Sequence, residues 1–325
     1  MKTINNTLTI DGIPFELPVF FPSISSIKTN LPPLEYLKIL VAIKYPFFLL
    51  SAYDFCNSKK EQSKMQRLLL RAKKQQQMVL LDSGNYEGYW NKDHSWSEAR
   101  FKKVLKSAEF NIAFCYDEQN PSNSVKKVVD VIERRVVGEQ KILDKESIIP
   151  VVHAAPNILH DVVVKVAKRL EPLIIAVPER LLGDGILARA ETILKIRQRL
   201  NNLGFYCPIH LLGTGNPLSI LIYTLSGADS FDGLEWCQTV VDYKSARLYH
   251  FQQRDFFSEQ SIFDSMNNLS YTHKTLAHNL FFYKNWMSIV QKKKAKKGLY
   301  ILLKQYISLN FLKKLKKKLP HIEKL

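Results

Sequence analysis

The stretch PIHLLGTGNPLSILIYTLSGADSFD, residues 208–232, contains the unit from which the fold follows. An apolar run at residues 208–212 precedes a glycine-rich turn, a helical pattern at residues 217–226 and a second short apolar run at residues 229–231. Short continuous apolar runs bounded by turn residues are typical of strands buried on both faces, as in parallel sheets. The stretch therefore predicts a strand–helix–strand unit with parallel strands.

The same alternation repeats along the chain. Apolar runs typical of strands occur at residues 18–21, 47–52, 78–81, 111–116, 148–153, 173–177, 208–212 and 229–231. Helical patterns lie between them at residues 33–43, 59–75, 95–107, 122–143, 157–169, 186–203 and 217–226. Eight strands that alternate with helices favour a closed (β/α)8 barrel, a TIM barrel, over the alternative of an open doubly wound sheet.

Length and composition exclude several classes of protein. A chain of 325 residues that is 46% hydrophobic can bury a large core, which excludes wholesale disorder. The absence of a long uncharged apolar run predicts no membrane span, and the N-terminus does not resemble a signal peptide, so we expect a cytoplasmic protein. The four scattered cysteines predict reduced thiols rather than disulfides or a cysteine-rich zinc site.

Positive charge is concentrated at the C-terminal end of the chain. Residues 291–325 contain twelve lysines and one glutamate, which accounts for +11 of the net charge of +17. We therefore divide the chain into a barrel domain, residues 1–290, and a short basic helical tail, residues 291–325. Such a tail favours a polyanion through counterion release, although a solvated tail that aids solubility is the alternative. The candidate phosphate contacts are Lys292, Lys293, Lys294, Lys296, Lys297, Lys313 and Lys314.

The tail also has an amphipathic segment at residues 299–319, with lysine clusters on both sides of apolar positions. A basic amphipathic helix can lie on a membrane surface. More often the apolar face of such a helix packs against its own domain, and we expect that arrangement here.

Three aspartates follow predicted strands at the end where a barrel of this type carries its chemistry. Asp82 follows the third strand, Asp117 the fourth and Asp232 the eighth. Two carboxylates that face each other across a pocket suit glycosyl transfer, with one as nucleophile and the other as general acid and base. A third carboxylate can accept hydrogen bonds from the N–H groups of a purine edge. An aspartate in such a place can also simply cap a helix or form a turn.

The segments around these aspartates resemble the tRNA-guanine transglycosylases, barrel enzymes that exchange a guanine for a 7-deazaguanine base. Residues 82–87, DSGNYE, are similar to the family's acid/base motif, DSGG followed by an aromatic residue and Gln. Residues 115–118, CYDE, are similar to its base-reading Phe-Asp-Glu. Residues 210–217, HLLGTGNP, and 227–232, GADSFD, are similar to G-x-G-x-P and G-x-D-x-F-D, whose last aspartate is the nucleophile. The resemblance spans about residues 10 to 285.

The resemblance implies a role for each matching residue. Asp232 would form a covalent ester with the ribose, and Asp82 would be the acid and base for the leaving and entering bases. Asp117 would read the base edge while Tyr86 stacks on its face. The full set of expected base-binding residues is Ser83, Tyr86, Asp117, His153, Gly213 and Gly215. No cofactor is expected, because the energy of one N-glycosidic bond is conserved in the next.

Departures from the family pattern limit this transfer. His153-Ala154-Ala155 stands where bacterial members have a glutamine after the fifth strand, and IIAVPE at residues 174–179 replaces Gly-Gly-Leu-Ala-x-Gly, so the identity of the incoming base stays open. His278 matches the family's zinc-binding histidine, but residues 258–271 contain no cysteine, so we predict no metal.

These departures favour the branch that resembles DNA 7-deazaguanine transglycosylases, so we expect DNA rather than tRNA as the polymer. The resemblance to that branch implies a companion ATP-using protein that gives access to the base in duplex DNA, since the base must leave the stack before it can be exchanged. Two alternatives remain, a tRNA-guanine transglycosylase that acts on tRNA and a non-catalytic paralogue that binds nucleic acid.

Overall fold

A computed structural model describes residues 7–56, 59–143, 147–293 and 295–320. The strands are β1 (Thr7–Ile10), β2 (Ile13–Glu16), β3 (Val19–Ile24), β4 (Phe47–Ser51), β5 (Met78–Asp82), β6 (Ile112–Phe114), β7 (Ile148–Ile149), β8 (Ile175–Pro178), β9 (Ile209–Leu212), β10 (Ser230–Gly233), β11 (Thr239–Val241) and β12 (Leu248–His250). The helices are α1 (Pro33–Ala42), α2 (Ala52–Cys56), α3 (Lys59–Lys74), α4 (Asn85–Trp90), α5 (Glu98–Ser107), α6 (Val125–Leu143), α7 (Leu159–Leu170), α8 (Gly185–Leu200), α9 (Pro217–Ser226), α10 (Glu235–Gln238), α11 (Tyr271–Lys292), α12 (Lys296–Leu303) and α13 (Leu309–Lys318).

The eight strands β3 to β10 form one parallel sheet in the order β7-β6-β5-β4-β3-β10-β9-β8. Its two ends meet through a parallel bridge between Val151 and Ala176. There the Val152 N–H donates to the Ala176 carbonyl at 2.8 Å, and the Ala176 N–H donates to the Pro150 carbonyl at 2.9 Å. The sheet is therefore closed, which confirms the (β/α)8 barrel and excludes the open sheet.

Ring contacts inside the barrel show the same closure. The Phe114 ring on β6 lies 4.9 Å from the imidazole of His210 on β9, although four strands separate β6 from β9 around the sheet. Phe21 on β3 contacts His210, and β10 lies between β3 and β9 in the sheet. Contacts between strands that are not neighbours in the sheet are possible only across the barrel axis, so these side chains fill the interior.

The stretch at residues 208–232 forms the predicted unit of β9, α9 and β10. The side chain of Asn216 accepts hydrogen bonds from the Leu218 and Ser219 N–H groups, and Pro217 occupies the first helical turn. The buried Arg197 of α8 donates to the Gly227 and Cys207 carbonyls and to Asp229, 2.5 Å away. These bonds tie both strands and the intervening helix together, and β10 extends to Gly233, so Asp232 lies within a strand and not after it.

Two expectations about strands differ from the structure. β7 ends at Ile149, whereas the apolar run predicted a strand to residue 153, because Pro150 has no N–H to donate to a ladder. Two antiparallel hairpins outside the barrel, β1–β2 and β11–β12, were not predicted. Both consist of strands of three or four residues, which are too short to show a clear alternation of polar and apolar residues.

The tail packs against the barrel. α12 contacts α9 and α13 contacts α8, and these contacts bury Leu299, Leu302, Leu303, Leu312 and Leu315. The single helix predicted at residues 299–319 is wrong, because the chain leaves the helix after Leu303 and Ser308 caps a new one by accepting a hydrogen bond from the Phe311 N–H. The apolar face is thus covered by the barrel and not left for a membrane surface. No helix in the described part of the chain is long and apolar enough to cross a bilayer. The domain boundary that we expected after residue 290 falls within the last turn of α11.

Candidate active site

The carboxyl ends of the strands open into a cavity of about 440 Å³, which we call the carboxylate cavity. Its volume lies in the range of about 300–1,000 Å³ that is usual for small-molecule sites. Six acidic residues line it, namely Asp82, Glu87, Asp117, Glu179, Asp232 and Glu235. The residues expected from the sequence that line it are Asp82, Ser83, Tyr86, Asp117, His153, Gly213 and Asp232. The barrel thus brings together side chains from β5, β10 and the loops after β6, β7 and β9.

Asp232 is buried, and three polar groups contact its carboxylate. The Ser23 hydroxyl on β3 donates to Oδ2 at 2.8 Å, and the Gly213 N–H donates to Oδ1 at 3.2 Å. The Nε2 atom of His210 lies 3.0 Å from the same Oδ1. Donors from three separate strands or turns therefore fix the orientation of the carboxylate at the cavity wall, as a nucleophile requires.

His210 is a residue that the sequence analysis did not select. It is fully buried on β9, and its Nδ1 atom lies 2.8 Å from the hydroxyl of Ser230. The network is satisfied when Nε2–H donates to Asp232 and Nδ1 accepts from Ser230. The signal in the sequence was a single polar residue inside an otherwise apolar strand, and Ser23 on β3 gives the same signal.

Asp82 lies at the end of β5 in the opposite electrostatic situation. The donor to its carboxylate is the Gly84 N–H, 2.9 Å from Oδ2. Burial raises the pKa of Asp82 well above its usual range, and the charges of Glu87, Asp117 and Asp232 raise it further. A raised pKa favours the protonated form, which is the form that a general acid needs.

The turn after Asp82 depends on Gly84. Gly84 adopts φ +76°, and a Cβ atom there would lie 2.5 Å from the backbone nitrogen of Tyr53. No other residue fits this conformation and this close approach without displacement of α2. The turn directs the Gly84 N–H back to Asp82 and starts α4, which carries Tyr86 and Glu87.

Asp117 follows β6, and its carboxylate is in contact with three potential hydrogen-bond donors. The Ser83 hydroxyl donates to Oδ1 at 2.7 Å, His153 Nε2 lies 2.9 Å from Oδ2, and the Gln119 amide also donates to Oδ2. Burial opposes ionisation, but the hydrogen bond and charge of His153 and the bond from Ser83 outweigh it, so the pKa of Asp117 lies below its usual value. The ionised group is an acceptor with one lone-pair position left for a ligand N–H.

Three further acids line the cavity, Glu87, Glu179 and Glu235, and the sequence analysis selected none of them as a site residue. Glu87 stands where the resembling family has a glutamine, and it accepts hydrogen bonds from the Ser25 and Ser51 hydroxyls at 2.6 and 2.8 Å. Burial raises the pKa of Glu87, and it raises that of Glu235 to about 7. Gly215, an expected base-binding residue, donates its N–H to Glu235 at 3.0 Å and does not itself line the cavity.

Tyr86 lies at the cavity mouth on α4. Its side chain is 37% exposed, and its ring meets that of Trp90 edge to face at 6.1 Å. One face of an aromatic ring at the mouth of a polar cavity is suited to stack on a planar base.

The tail lysines lie away from this cavity. The side chain of Gln291, just before Lys292 and Lys293, donates to the Glu16 and Pro18 carbonyls at 3.0 and 2.9 Å. Pro18 precedes β3, so this part of α11 lies at the amino-terminal end of the barrel, opposite Asp232. Lys297, Lys313 and Lys314 are on α12 and α13, outside the ring of barrel helices, while Lys294 and the side chain of Lys296 lie outside the described residues. The cations that line the cavity are Lys28, Arg180 and Arg189.

The residues near His278 do not fit a zinc ion. His278 Nε2 lies 2.8 Å from the Val241 carbonyl and Nδ1 lies 3.0 Å from the Ser261 hydroxyl, so hydrogen bonds occupy both ring nitrogens. Cys237 donates its thiol to the Leu234 carbonyl. Within the described ranges, no group of three or more His, Cys, Asp or Glu side chains is arranged to hold a metal.

No protein-family model matches this chain, and no curated protein matches it in sequence. The resemblance to the guanine transglycosylases therefore depends on the motifs quoted above, and functional conclusions depend on the geometry of the cavity.

Proposed function

We propose that this protein is a base-exchange pentosyltransferase that replaces guanine in a nucleic acid, preferably DNA, with a 7-deazaguanine base. The observation that carries the proposal is the pair of Asp82 and Asp232 in one cavity, the first in surroundings that raise its pKa and the second oriented by hydrogen-bond partners. Two carboxyl groups with these different environments are the requirement for a double displacement at a glycosidic carbon.

The first displacement releases guanine. A carboxylate oxygen of Asp232 attacks C1′ of the sugar, and the electron pair of the C1′–N9 bond leaves with the base. Asp82 supplies the proton that the departing base takes up. The result is neutral guanine, an Asp232 ester with the sugar, and an ionised Asp82.

The second displacement reverses these roles. The ionised Asp82 takes the N9 proton of the entering 7-deazaguanine, N9 attacks C1′, and Asp232 is released as a carboxylate. Two inversions at C1′ give retention. Asp117 accepts a hydrogen bond from the N–H groups of the base edge, and Tyr86 stacks on its face. No cofactor takes part in either step.

Access to the base is a separate requirement. The carboxylate cavity lies inside the rim of the barrel, so a guanine in a stacked duplex cannot reach Asp232 before it is unpaired, at a cost of a few kcal/mol. A companion ATP-using protein would open the duplex, and we place both proteins in the cytoplasm. The absence of the family's zinc-binding cysteines from residues 258–271 supports DNA over tRNA.

The experiment is exchange of labelled guanine. Wild-type protein is incubated with single-stranded DNA, duplex DNA and tRNA that carry radiolabelled guanine, with and without a 7-deazaguanine base. We expect release of label from DNA that depends on the added base, and no release by Asp232→Ala. Asp130→Ala, an exposed aspartate of α6, is the matched control and should behave as wild type.

Two outcomes of this experiment would change the proposal. Release from tRNA alone would make tRNA the substrate. If neither DNA nor tRNA releases label, even with a candidate companion protein, the proposal is overturned. The remaining alternative is then a non-catalytic protein that binds nucleic acid.

A further inference from the structure

A second cavity, of about 570 Å³, lies beside the carboxylate cavity, and we call it the flanking cavity. Gln119, His153 and Arg180 line both cavities, so the two are adjacent. The flanking cavity is open to solvent along Tyr89 and Trp90, the last two residues of α4. A strand whose base enters the carboxylate cavity can therefore extend over the flanking cavity.

The aromatic pair at this cavity is exposed. Tyr89 is 64% exposed and Trp90 is 48% exposed, and their rings meet edge to face at 5.7 Å. The Lys28 ammonium lies 5.1 Å from the centre of the Trp90 ring, which places a positive charge beside it. Exposed aromatic rings beside cations are the elements with which proteins bind the bases and phosphates of single strands.

The charges of the two cavities differ sharply. Six acidic side chains line the carboxylate cavity, whereas, among the described residues, none lines the flanking cavity. Arg180, on the boundary, donates to the neutral Gln119 side chain at 2.5 Å, and no described carboxylate lies within ion-pair distance of its guanidinium. Arg189 in contrast is paired with Glu179 at 2.8 Å. A phosphate group is repelled by the first cavity and attracted to Arg180 at its edge.

We infer that the flanking cavity binds the nucleotide next to the one that is exchanged. Its base stacks on Tyr89 and Trp90, and Arg180 contacts the phosphate that links the two nucleotides. This inference rests on the proposed function, because the cavity is defined by its position beside the exchanged base. It also defines the substrate as a strand with at least two unpaired nucleotides at the site, and not a single base extruded from an otherwise intact duplex.

A double-mutant cycle between protein and DNA tests the stacking. The probe is a single-stranded nine-nucleotide oligothymidylate with one central guanine and a fluorescent label, whose dissociation constant is measured by anisotropy. The cycle combines the variant Tyr89→Ala/Trp90→Ala with removal of the base on the 5′ or the 3′ side of the guanine. Phe256→Ala, which removes a 77% exposed ring that lines neither cavity, is the matched control.

We expect the double variant to bind the intact oligonucleotide roughly 5- to 100-fold more weakly than wild type. Removal of one neighbouring base should weaken wild type by a similar factor and the double variant less than about twofold. Equal losses for wild type and variant at both neighbouring positions would overturn the inference. Circular dichroism and thermal melting check that the variant is folded.

The role of Arg180 has a different readout. Arg180→Gln should lower the slope of log affinity against log salt by about 0.7, the value for one phosphate contact on a single strand. Arg247→Gln, an exposed arginine that lines neither cavity, should leave the slope at the wild-type value. If Arg180→Gln leaves the slope unchanged, Arg180 does not contact a phosphate.

Exchange of labelled guanine, measured on the same proteins, separates the two proposals. If wild type exchanges guanine and the cycle shows no coupling, the flanking cavity is not a nucleotide subsite and the proposed function stands. If wild type exchanges no guanine, the proposed function fails whatever the cycle shows. Coupling in a protein without exchange would then describe a strand-binding groove and not a subsite next to a reacting base.

Discussion

Asp82 and Asp117 follow neighbouring strands, β5 and β6, and face one cavity, yet their pKa values are displaced in opposite directions. Asp82 is half-buried beside the acids Glu87 and Asp117 and receives a bond from the Gly84 N–H, whereas Asp117 is held by Ser83, His153 and Gln119. The difference teaches that surroundings, and not residue type, decide the direction in which the pKa of a carboxyl group moves in this cavity.

The largest expected effect on kcat follows from replacement of the Asp82 carboxyl group, whose pKa is raised. Asp82→Asn preserves the shape but cannot protonate the departing base, so kcat for exchange should fall by about 10²- to 10⁴-fold. In wild type the rate should decline as the pH rises through the raised pKa of Asp82, and the residual rate of the variant should lack that decline. Steady-state kinetics between pH 5 and 9 measures both. If the rate of Asp82→Asn still declines with rising pH as in wild type, that decline belongs to another group.

A smaller loss is expected when Asp232 loses one of its donors. His210→Phe fits among Phe21 and Phe114 but removes the donor to Asp232 Oδ1, and loss of a hydrogen bond to a charged group should lower kcat by roughly 10- to 100-fold. The affinity for nucleic acid should stay unchanged, because His210 is fully buried. His210→Gln retains an amide donor and should recover part of kcat. If His210→Phe lowers the affinity for nucleic acid but not kcat, His210 does not orient Asp232.

A substitution of His153 tests the lowered pKa of Asp117. His153→Gln removes the imidazole charge that lowers the pKa of Asp117, so that pKa should rise. Asp117 would then lose its charge at a higher pH, and we expect KM for the free base to increase about tenfold at acidic pH. The measurement is KM for the free base as a function of pH. The pH below which KM rises should be higher in His153→Gln than in wild type, and an unchanged value would contradict this account.

Chain order alone was enough to predict that three aspartates lie near one another. Asp82, Asp117 and Asp232 lie at or just after the carboxyl ends of parallel strands, and these ends share one rim in a barrel, so their place in one cavity could be predicted without coordinates. His210 and Ser23 could not be selected in this way, since their contact with Asp232 depends on the register of β9, β10 and β3. Glu87 depends likewise on the sharp turn at Gly84.

The position of the tail, in contrast, could not be predicted from the sequence. Its charge is plain in the sequence, but its position depends on how α11 runs down the barrel, which only the contacts of Gln291 with Glu16 and Pro18 reveal. Local sequence patterns contain no information on that direction.

The smallest expected effect concerns these distant charges. Lys292→Gln/Lys293→Gln removes two charges at the end of the barrel opposite Asp232, where screening at physiological salt acts over about 8 Å. Affinity for the nine-nucleotide strand should fall by about twofold or less, well below the effect of Arg180→Gln. A loss that exceeds that of Arg180→Gln would show that the strand follows the tail and not the rim.

The central claim, that Asp232 forms a covalent bond to the sugar of a nucleic acid, is tested most directly by trapping the intermediate. Protein is incubated with guanine-containing single-stranded DNA, denatured, digested and analysed by mass spectrometry. The account predicts a denaturation-resistant adduct on the peptide that contains Asp232, lost in Asp232→Ala and kept in Asp130→Ala. An adduct that persists in Asp232→Ala, or that maps to another residue, would contradict it.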